Sequence, residues 1–248
     1  MILPSIPGAA GLRARKRIIL RLAGAATILL PTILWSRGVR ANPPAVAGSI
    51  ARVSGSASVK PKAGASREAK VKDVVQVADT IVTEADGQVL VRMQDKSSLL
   101  VRPKSTVIIE EFQFENKADD RAATAVAAGA IRAVSGQIAR DKPANVKYSA
   151  GTATIGIRGT DIELAILGEG QQDRAGVYNY VYAGTTEMRL ETGEIALVEK
   201  ELTGFTPAVL QPGEARLQIL RDRPAFLQSS GFDALMQQLT NPRIPMIR

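Results

Sequence analysis

The sequence predicts an all-β fold, and three observations support that class. Between Tyr148 and Leu167, two arms alternate apolar and polar residues with opposite phase. Short β-rich runs, broken by turn residues, continue from about Gly48 to Leu220. These runs follow one another closely and lack intervening helices, which favours an antiparallel or coiled body over a parallel βαβ sheet. We expect a single domain of many short strands, sandwich-like or solenoid-like, with a short C-terminal helix.

Residues 1–41 have the features of an export signal. Basic residues between positions 13 and 17 precede an apolar run over positions 22–35. The run is followed by Val39-Arg40-Ala41, which approximates the small-x-small pattern of signal peptidase sites. We expect cleavage between Ala41 and Asn42.

The alternative for this segment is an uncleaved N-terminal anchor. Residues 18–20 would lengthen the apolar run, although Pro31 interrupts it. Positive charge on the N-terminal flank keeps that end in the cytoplasm and sends the following chain outward. The predicted location is therefore periplasmic or secreted, or anchored in the inner membrane if the signal is retained.

Residues 42–47 form a predicted linker, and residues 48–167 form the main β domain. Turn residues that separate its short strands occur at Gly55, Ala85-Asp86-Gly87, Asp95-Lys96-Ser97 and Pro103-Lys104. The second of these predicts a hairpin.

The alanine-rich segment 117–130 is ambiguous. Its composition supports a short helix around Arg121 to Ala127 as well as it supports a strand. Beyond it we expect strands over Ile131–Val134 and Gln137–Arg140, on either side of a turn at Gly136.

Residues 168–220 continue the same β domain. Predicted strands over Tyr178–Val181 and Glu187–Glu191 flank a turn at Ala183-Gly184-Thr185. Further turns are expected at Thr192-Gly193 and, before a strand over Arg216–Leu220, at Pro212-Gly213. In residues 221–248, helical spacing of apolar residues predicts a helix over Pro224–Leu239 that packs on the β body, followed by an extended tail.

The two arms of the run from Tyr148 to Leu167 change phase across Gly159-Thr160. Apolar residues occupy odd positions before it, at 155 and 157, and even positions after it, at 162, 164 and 166. Because side chains alternate with a period of two, both arms can face one core only if the strand slips by one residue. We expect a bulge or sharp corner there, with Gly159 in a positive-φ conformation.

The charge distribution argues against nucleic-acid binding. The formal net charge is +8, but seven of the 32 basic residues and none of the 24 acidic residues precede Asn42. The remainder is nearly neutral and poor in aromatic residues, so no broad phosphate-binding face is expected.

The chain contains no cysteine and no histidine. The absence of both residue types excludes disulfides and thiolate chemistry, most transition-metal sites and the commonest general base. We therefore expect no catalytic residues, no cofactor and no metal centre.

Several of these motifs together resemble one known family. They run in order along the chain: GSI at 48–50, GSA at 55–57, VADTIVT at 77–83, PKST at 103–106, GAIRAVSG at 129–136 and ATIGIRGT at 153–160. In this the chain resembles the FecR-type domain family over roughly Gly48 to Leu167. The resemblance implies an all-β domain outside the inner membrane and does not imply an enzyme.

The resemblance also implies a possible role in signalling. The best-known members of the family are single-pass regulators that relay receptor occupancy to a cytoplasmic sigma factor. Such a regulator needs a folded cytoplasmic segment, whereas about 17 residues precede the apolar run, too few for a domain. We therefore expect a standalone exported member of the family.

The family motif Ile157, Arg158, Gly159 and Thr160 has two interpretations. In the first it is a ligand-binding corner, because a bulge exposes backbone donors and Arg158 adds charge. In the second, which we favour, it is structural: Gly159 makes the bend, Thr160 satisfies local backbone groups and Arg158 pairs with a carboxylate.

Three other stretches are candidate sites, each with a simpler structural explanation. The basic stretch from Arg52 to Lys72 would contact an anionic polymer or lipid, or form a solvated edge. The acidic run of Glu110, Glu111, Glu115, Asp119 and Asp120 would hold calcium or form a solvated turn. The tyrosines at 178, 180 and 182 would stack on a sugar or pack within the fold.

The function expected from these observations is that of an exported, non-enzymatic FecR-domain module for binding or assembly in the bacterial cell envelope. Its partner would be a protein or polysaccharide of the envelope, with membrane contact only through an uncleaved N-terminal segment. The alternative is a membrane-anchored periplasmic sensory regulator of the iron-citrate type.

Overall fold

The computed structural model of the protein describes residues 44–171 and 173–227. These residues contain fifteen strands, one short α-helix and two 3₁₀ turns. The strands are β1 (Val46–Ser54), β2 (Ala57–Lys60), β3 (Arg67–Glu68), β4 (Val74–Gln76), β5 (Thr80–Thr83), β6 (Gln88–Met93), β7 (Ser98–Val101), β8 (Thr106–Gln113), β9 (Arg121–Val134), β10 (Val146–Ala150), β11 (Ala153–Leu167), β12 (Gly176–Leu190), β13 (Ile195–Glu199), β14 (Thr203–Pro207) and β15 (Gln218–Leu220). Helix α1 is Gln137–Asp141, and the 3₁₀ turns are Pro143–Asn145 and Ala225–Leu227.

Three long strands, β9, β11 and β12, join two ladders of shorter strands. The first ladder follows the order β3-β2-β5-β8-β9-β10-β11-β12-β13, and the second follows β4-β1-β6-β7-β9-β11-β12-β14-β15. Strand β9 pairs with β8 and β10 through its first half and with β7 and β11 through its second half. All pairings are antiparallel except that of β9 with β10. Each long strand therefore belongs to both ladders.

Inward-facing side chains of the two ladders form one hydrophobic core. The first ladder contributes Ile81, Ile109 and Ile155, and the second contributes Ile131 and Leu164, all of them fully buried. Burying one such side chain stabilises the fold by about 1.5–3 kcal/mol. The predicted all-β class of many short strands is confirmed. Because the chain lacks cysteine, this packing holds the domain without disulfides.

A second, smaller apolar cluster lies on the outer face of the second ladder. It contains Tyr178 and Tyr180 of β12, Phe205 of β14 and Leu227, with Phe226 packed against it. The segment that ends in the 3₁₀ turn Ala225–Leu227 thus lies over this face of the sheet.

Two segments have a different secondary structure from the one predicted. Residues Arg121–Ala127 lie in strand β9 and form no helix, because this part of the strand pairs with β8 on one side and with β10 on the other. The predicted strand Gln137–Arg140 is instead helix α1. The adjacent residues Ile138 and Ala139 are both buried, which a helix accommodates and an alternating strand does not.

The turn predictions had mixed outcomes. The hairpin predicted at Ala85-Asp86-Gly87 is wrong, since β5 and β6 pair with other strands and lie in different ladders. The Asp95 turn does join a β6–β7 hairpin, and Thr192-Gly193 joins β12 to β13. The turn predicted at Gly184 is a bend within the continuous strand β12. The strand predicted over Arg216–Leu220 is confined to β15.

Parts of two predicted segments lie outside the described residues. They are the export signal with its expected cleavage between Ala41 and Asn42, and the portion of the predicted C-terminal helix beyond residue 227. Within residues 44–171 and 173–227, no helix combines the length and apolar character needed to cross a bilayer.

Candidate functional site

The corner predicted in β11 is present at Gly159. Pairing between β11 and β12 shifts register between Arg158 and Asp161, which confirms the predicted bulge. Ile157 before the bulge and Ile162 after it both face the core. Gly159 has a φ of 57°, and Gly184 of β12, which lies against it, has a φ of 77°. Both strands therefore bend together at a pair of glycines, which adopt positive φ without the steric cost that a Cβ would bring.

Thr160 is tied to the neighbouring strand by Ser135. The Thr160 N–H donates to Ser135 Oγ over 2.8 Å, and the Ser135 hydroxyl and backbone N–H donate to the Thr160 carbonyl over 2.7 and 2.9 Å. Thr160 is almost completely buried. These backbone groups of the bulge are therefore used within the fold, but the residue that satisfies them is Ser135, whereas the structural interpretation gave that role to Thr160.

An open trough of about 880 Å³ lies on the outer face of the first ladder, beside the corner. We call it the outer trough. Its floor consists of β10, β11 and β12, with Gly156 at the centre, and its two sides are formed by the α1–3₁₀ segment and by Leu197 of β13. Lys147, Gly156, Glu187 and Leu197 lie side by side on four adjacent strands. The strand pairing therefore sets the spacing of the side chains that line the trough.

The outer trough is rich in positive charge. Arg140, Lys147, Arg158 and Arg189 line it, together with the single carboxylate of Glu187. Arg189 donates to Glu187 over 2.8 Å. Arg140, Lys147 and Arg158 are exposed and form no ion pair within the described part of the chain. The expectation that Arg158 pairs with a nearby carboxylate is therefore wrong.

Comparison with protein families agrees with the motifs at this corner. Residues 79–185 match the family model described as FecR protein. Residues 79–185 are therefore similar to the FecR family. The matched region runs from the residue before β5 to the bend of β12 and includes Ile157, Arg158, Gly159 and Thr160. No curated protein gives a significant match.

Two crystal structures from Parabacteroides distasonis ATCC 8503, each provisionally described as an anti-sigma factor, are similar to this chain. One, at 2.50 Å resolution, has 11% sequence identity and a TM-score of 0.43 over 57% of this chain and 58% of its own. The other, at 1.65 Å, has 11% identity and a TM-score of 0.44 over 64% of each chain. The chain thus spans about three-fifths of the length of each, and similarity at this level does not establish a shared function.

The described residues also contain a buried ionic cluster on the outer face of the second ladder. Its centre is Glu163 of β11, which is fully buried. Glu163 accepts hydrogen bonds from the guanidinium groups of Arg102 and Arg223 and from the Tyr182 hydroxyl, the last over 2.7 Å. Arg102 and Arg223 also donate to the carbonyl of Leu227. The cluster thereby ties the segment around Leu227 to the sheet.

A second ion pair extends this cluster along the strand. Arg132 of β9 donates two hydrogen bonds of 2.9 Å each to the carboxylate of Asp161. Its guanidinium lies 3.7 Å from the centre of the Tyr182 ring, a distance typical of a cation–π contact. The negative charges on the outer side of β11 beyond the bulge are thus neutralised within the fold.

Burial dominates the titration of this cluster. It raises the pKa of Glu163, and the neighbouring guanidinium of Arg102 and the hydroxyl of Tyr182 oppose that rise without cancelling it. The pKa of Tyr182 is also raised, by burial and by the adjacent Glu163 carboxylate. Because Glu163 has no contact with solvent, its carboxylate has no route to an external substrate and its role is to hold the fold together.

The basic stretch from Arg52 to Lys72 includes a solvated edge of the sheet. Arg67 pairs with Asp73 over 2.6 Å, and Lys70 pairs with Glu68 over 3.4 Å. Strand β3, in the middle of the stretch, pairs only with β2 among the described residues. The placement fits the interpretation in which lysines protect an edge strand.

In the acidic run, Glu110 and Glu111 lie in β8, and Glu115, Asp119 and Asp120 lie in the turn between β8 and β9. Asp120 accepts backbone N–H groups from Glu115 and Lys117 over 2.8 and 3.1 Å, while Glu111 pairs with Arg121 and Glu115 with Lys117. Nowhere in residues 44–171 and 173–227 do acidic side chains group in a way that could hold a metal ion. Glu115 and Asp119 are exposed, as expected of a solvated turn, whereas Asp120 is buried and accepts backbone N–H groups of the turn.

The tyrosine strip is packed within the fold. The Tyr178 ring stacks on Phe205 with 4.5 Å between ring centres and meets Phe226 edge-on at 5.1 Å. Tyr180 and Tyr182 contact each other edge-on at 4.8 Å. These faces are occupied by the protein itself, so the packed interpretation is confirmed and the sugar-stacking platform is not.

Two features of the site escaped prediction from sequence. The outer trough depends on helix α1, which was predicted as a strand, and on the cross-strand register that brings Lys147 next to Gly156. The buried cluster joins residues as far apart as Arg102 and Arg223. One local signal was present: after the phase change, Asp161 and Glu163 alternate with core residues in a strand with few exposed positions.

Proposed function

We propose that this chain is an exported, non-enzymatic FecR-domain module that binds a partner in the bacterial cell envelope through the outer trough. The observation that carries the proposal is the unpaired positive charge of Arg140, Lys147 and Arg158 around an open depression. Cations that have no counter-charge in the fold and that line one depression are available to an anionic partner.

The chemistry of the trough supports binding rather than catalysis. Its polar lining consists of threonines, cations and Glu187, whose carboxylate is already engaged by Arg189. A hydrolase of the carboxylate-pair type needs two acids facing one another, and a nucleophilic serine or threonine needs an activating base. The trough lining contains only one acid and no histidine.

The family match favours a second candidate, a membrane-anchored sensory regulator of the iron-citrate type. The described domain would be the same in both proteins, and the difference would lie in the N-terminal segment. Sequencing the N-terminus of the protein recovered from its native envelope separates the two. Asn42 as the first residue supports the exported module, and a retained Met1 with membrane-bound protein supports the anchored regulator.

In-cell photo-crosslinking tests binding at the trough. A photoreactive phenylalanine analogue at Gly156 would stand on the trough floor, and the same analogue at the exposed Lys62 would stand on the loop after β2. We expect a discrete crosslinked product of higher mass at Gly156 and none at Lys62. Equal labelling at both positions, or none at either, would contradict the proposal.

A further inference from the structure

We propose that the occupant of the outer trough is an acidic, extended segment of a protein partner that also carries an apolar residue. This inference rests on the proposed function and specifies the class of partner. It follows from three properties of the trough, namely its charge, its exposed apolar side and its glycine floor.

The positive charge of the trough favours the binding of an anionic ligand. Four cationic side chains and one carboxylate line it, and the only ion pair among them uses Arg189 and Glu187. Arg140 lies on α1, Lys147 on β10 and Arg158 on β11, so the cations approach the depression from separate elements. A ligand with several carboxylates in a row would meet them together, whereas a single small anion would reach only one or two.

The β13 side of the trough selects a protein segment over a polysaccharide. Leu197 is 64% exposed and Ile195 on the same face of β13 is 48% exposed, so this side presents apolar surface to solvent. Among the described residues, no aromatic side chain lines the trough, whereas sugar-binding sites commonly stack rings on aromatic faces. A leucine-like side chain on a peptide would cover Leu197 and remove apolar surface from water.

The floor of the trough leaves room for an extended backbone. A Cβ atom on Gly156 would come no closer than 3.9 Å to the Glu187 carbonyl and 4.0 Å to its Cβ, which are ordinary contact distances. A larger residue at 156 would therefore fit the sheet and project into the trough. The position offers a way to block the trough without removing any charge.

Fluorescence anisotropy with the purified full chain tests the inference. The probe is a short labelled peptide of glutamate, serine and leucine, compared with the same peptide carrying lysine in place of glutamate. We expect saturable binding of the acidic peptide only. Its affinity should fall steeply as salt rises from about 0.05 to about 0.5 M, because salt screens exposed charges.

Matched variants locate the binding. Lys147→Glu with Arg158→Glu should weaken binding by about tenfold, which corresponds to about 1.4 kcal/mol. Lys60→Glu with Lys62→Glu makes the same change in net charge at exposed positions on and after β2 and should leave affinity within about twofold. Gly156→Val should weaken binding with unchanged circular dichroism and unfolding midpoint.

Several results would overturn the inference. Equal losses in the two double-charge variants would show that net charge alone attracts the peptide. Tight, trough-dependent binding of polygalacturonate with none of the peptide would make the occupant a polysaccharide. A crosslink at Gly156 without peptide binding would contradict the inference that the occupant is an acidic segment but would still support the proposed function. Loss of both the crosslink and peptide binding would contradict the inference and the proposed function.

Discussion

The outward-facing charged side chains of the β11–β12 ribbon have different surroundings in its two halves. Before the glycine bend, the outward side chains of residues 153–158 border an open trough, and Arg158 has no ionic partner among the described residues. Beyond it, Asp161 and Glu163 face the same way from the sheet but are covered and paired with arginines. The same pair of strands thus offers charge to a partner in one half and uses charge internally in the other. Whether other parts of the chain cover the outer face determines which of these two uses applies.

The largest expected effect comes from removing the charge at the centre of the covered half. Glu163→Ala leaves the donors of Arg102, Arg223 and Tyr182 without their buried acceptor. Breaking a buried ion pair by removing one partner costs about 3–5 kcal/mol. Urea unfolding followed by circular dichroism should show a loss of that size.

The matched change in the open half is Glu187→Ala. Its pair with Arg189 is about half exposed, so removal should cost less than about 1 kcal/mol. Similar losses for the two substitutions would contradict the distinction between a covered and an open half.

The bend itself can be tested with three glycines. Gly184→Ala would place a Cβ 2.6 Å from the Gly159 carbonyl oxygen at positive φ, and we expect a loss of about 3 kcal/mol from overlap and backbone strain together. Gly159→Ala would meet nothing within 4 Å, so only the positive φ contributes and the loss should be about 1–2 kcal/mol.

Gly156→Ala completes the series as the control. It has neither a close neighbour nor a positive φ, and replacing glycine inside a strand with alanine should stabilise the fold by about 0.5 kcal/mol. Thermal unfolding midpoints should fall in the order Gly156→Ala, Gly159→Ala, Gly184→Ala. A reversed order for the last two would mean that β12 does not bend against Gly159.

The bend in β11 was predictable, whereas its counterpart in β12 was missed. In β11 the phase change is carried by isoleucines and leucine, so alternation alone revealed it. In β12 the core positions include the polar residues Asn179 and Thr186, which pair with each other over 2.7 Å. Their polarity concealed the alternation, and Gly184 was taken as a turn between two strands.

The strand partners were harder to predict than the strands. Local turn residues do not determine whether consecutive strands pair, since β5 and β6 lie in different ladders although a turn sequence separates them. The trough and the ionic cluster depend on such long-range pairing. The sequence showed the charged residues of the trough and of the ionic cluster as positions within strands. It did not show whether other parts of the chain cover them.

The covered carboxylate should also make stability depend on pH. Because burial raises the pKa of Glu163 in the folded state, its contribution to stability is present below its unfolded pKa of about 4.3 and is lost as pH rises through the raised value. The protonated carboxyl group of Glu163 still accepts hydrogen bonds, whereas the methyl group of alanine in Glu163→Ala does not. The difference in unfolding free energy between wild type and Glu163→Gln should therefore move against wild type as pH rises from about 4 to about 7. A constant difference across that range would show that burial does not control this group.

The smallest expected effect on stability comes from Arg158→Ala, and this variant best isolates the open half. Arg158 is exposed and unpaired within residues 44–171 and 173–227, so the unfolding free energy should change by less than about 0.5 kcal/mol. Affinity for the acidic peptide should nevertheless fall severalfold, and Arg158→Lys should retain most of it because the charge remains. Ser135→Ala provides the opposite control, since it removes the two hydrogen bonds that the Ser135 hydroxyl forms with the Thr160 backbone and should cost about 1–2 kcal/mol. If Arg158→Ala destabilised the fold and left affinity unchanged, the motif would be structural throughout, and the difference between the two halves of the ribbon would not reflect binding.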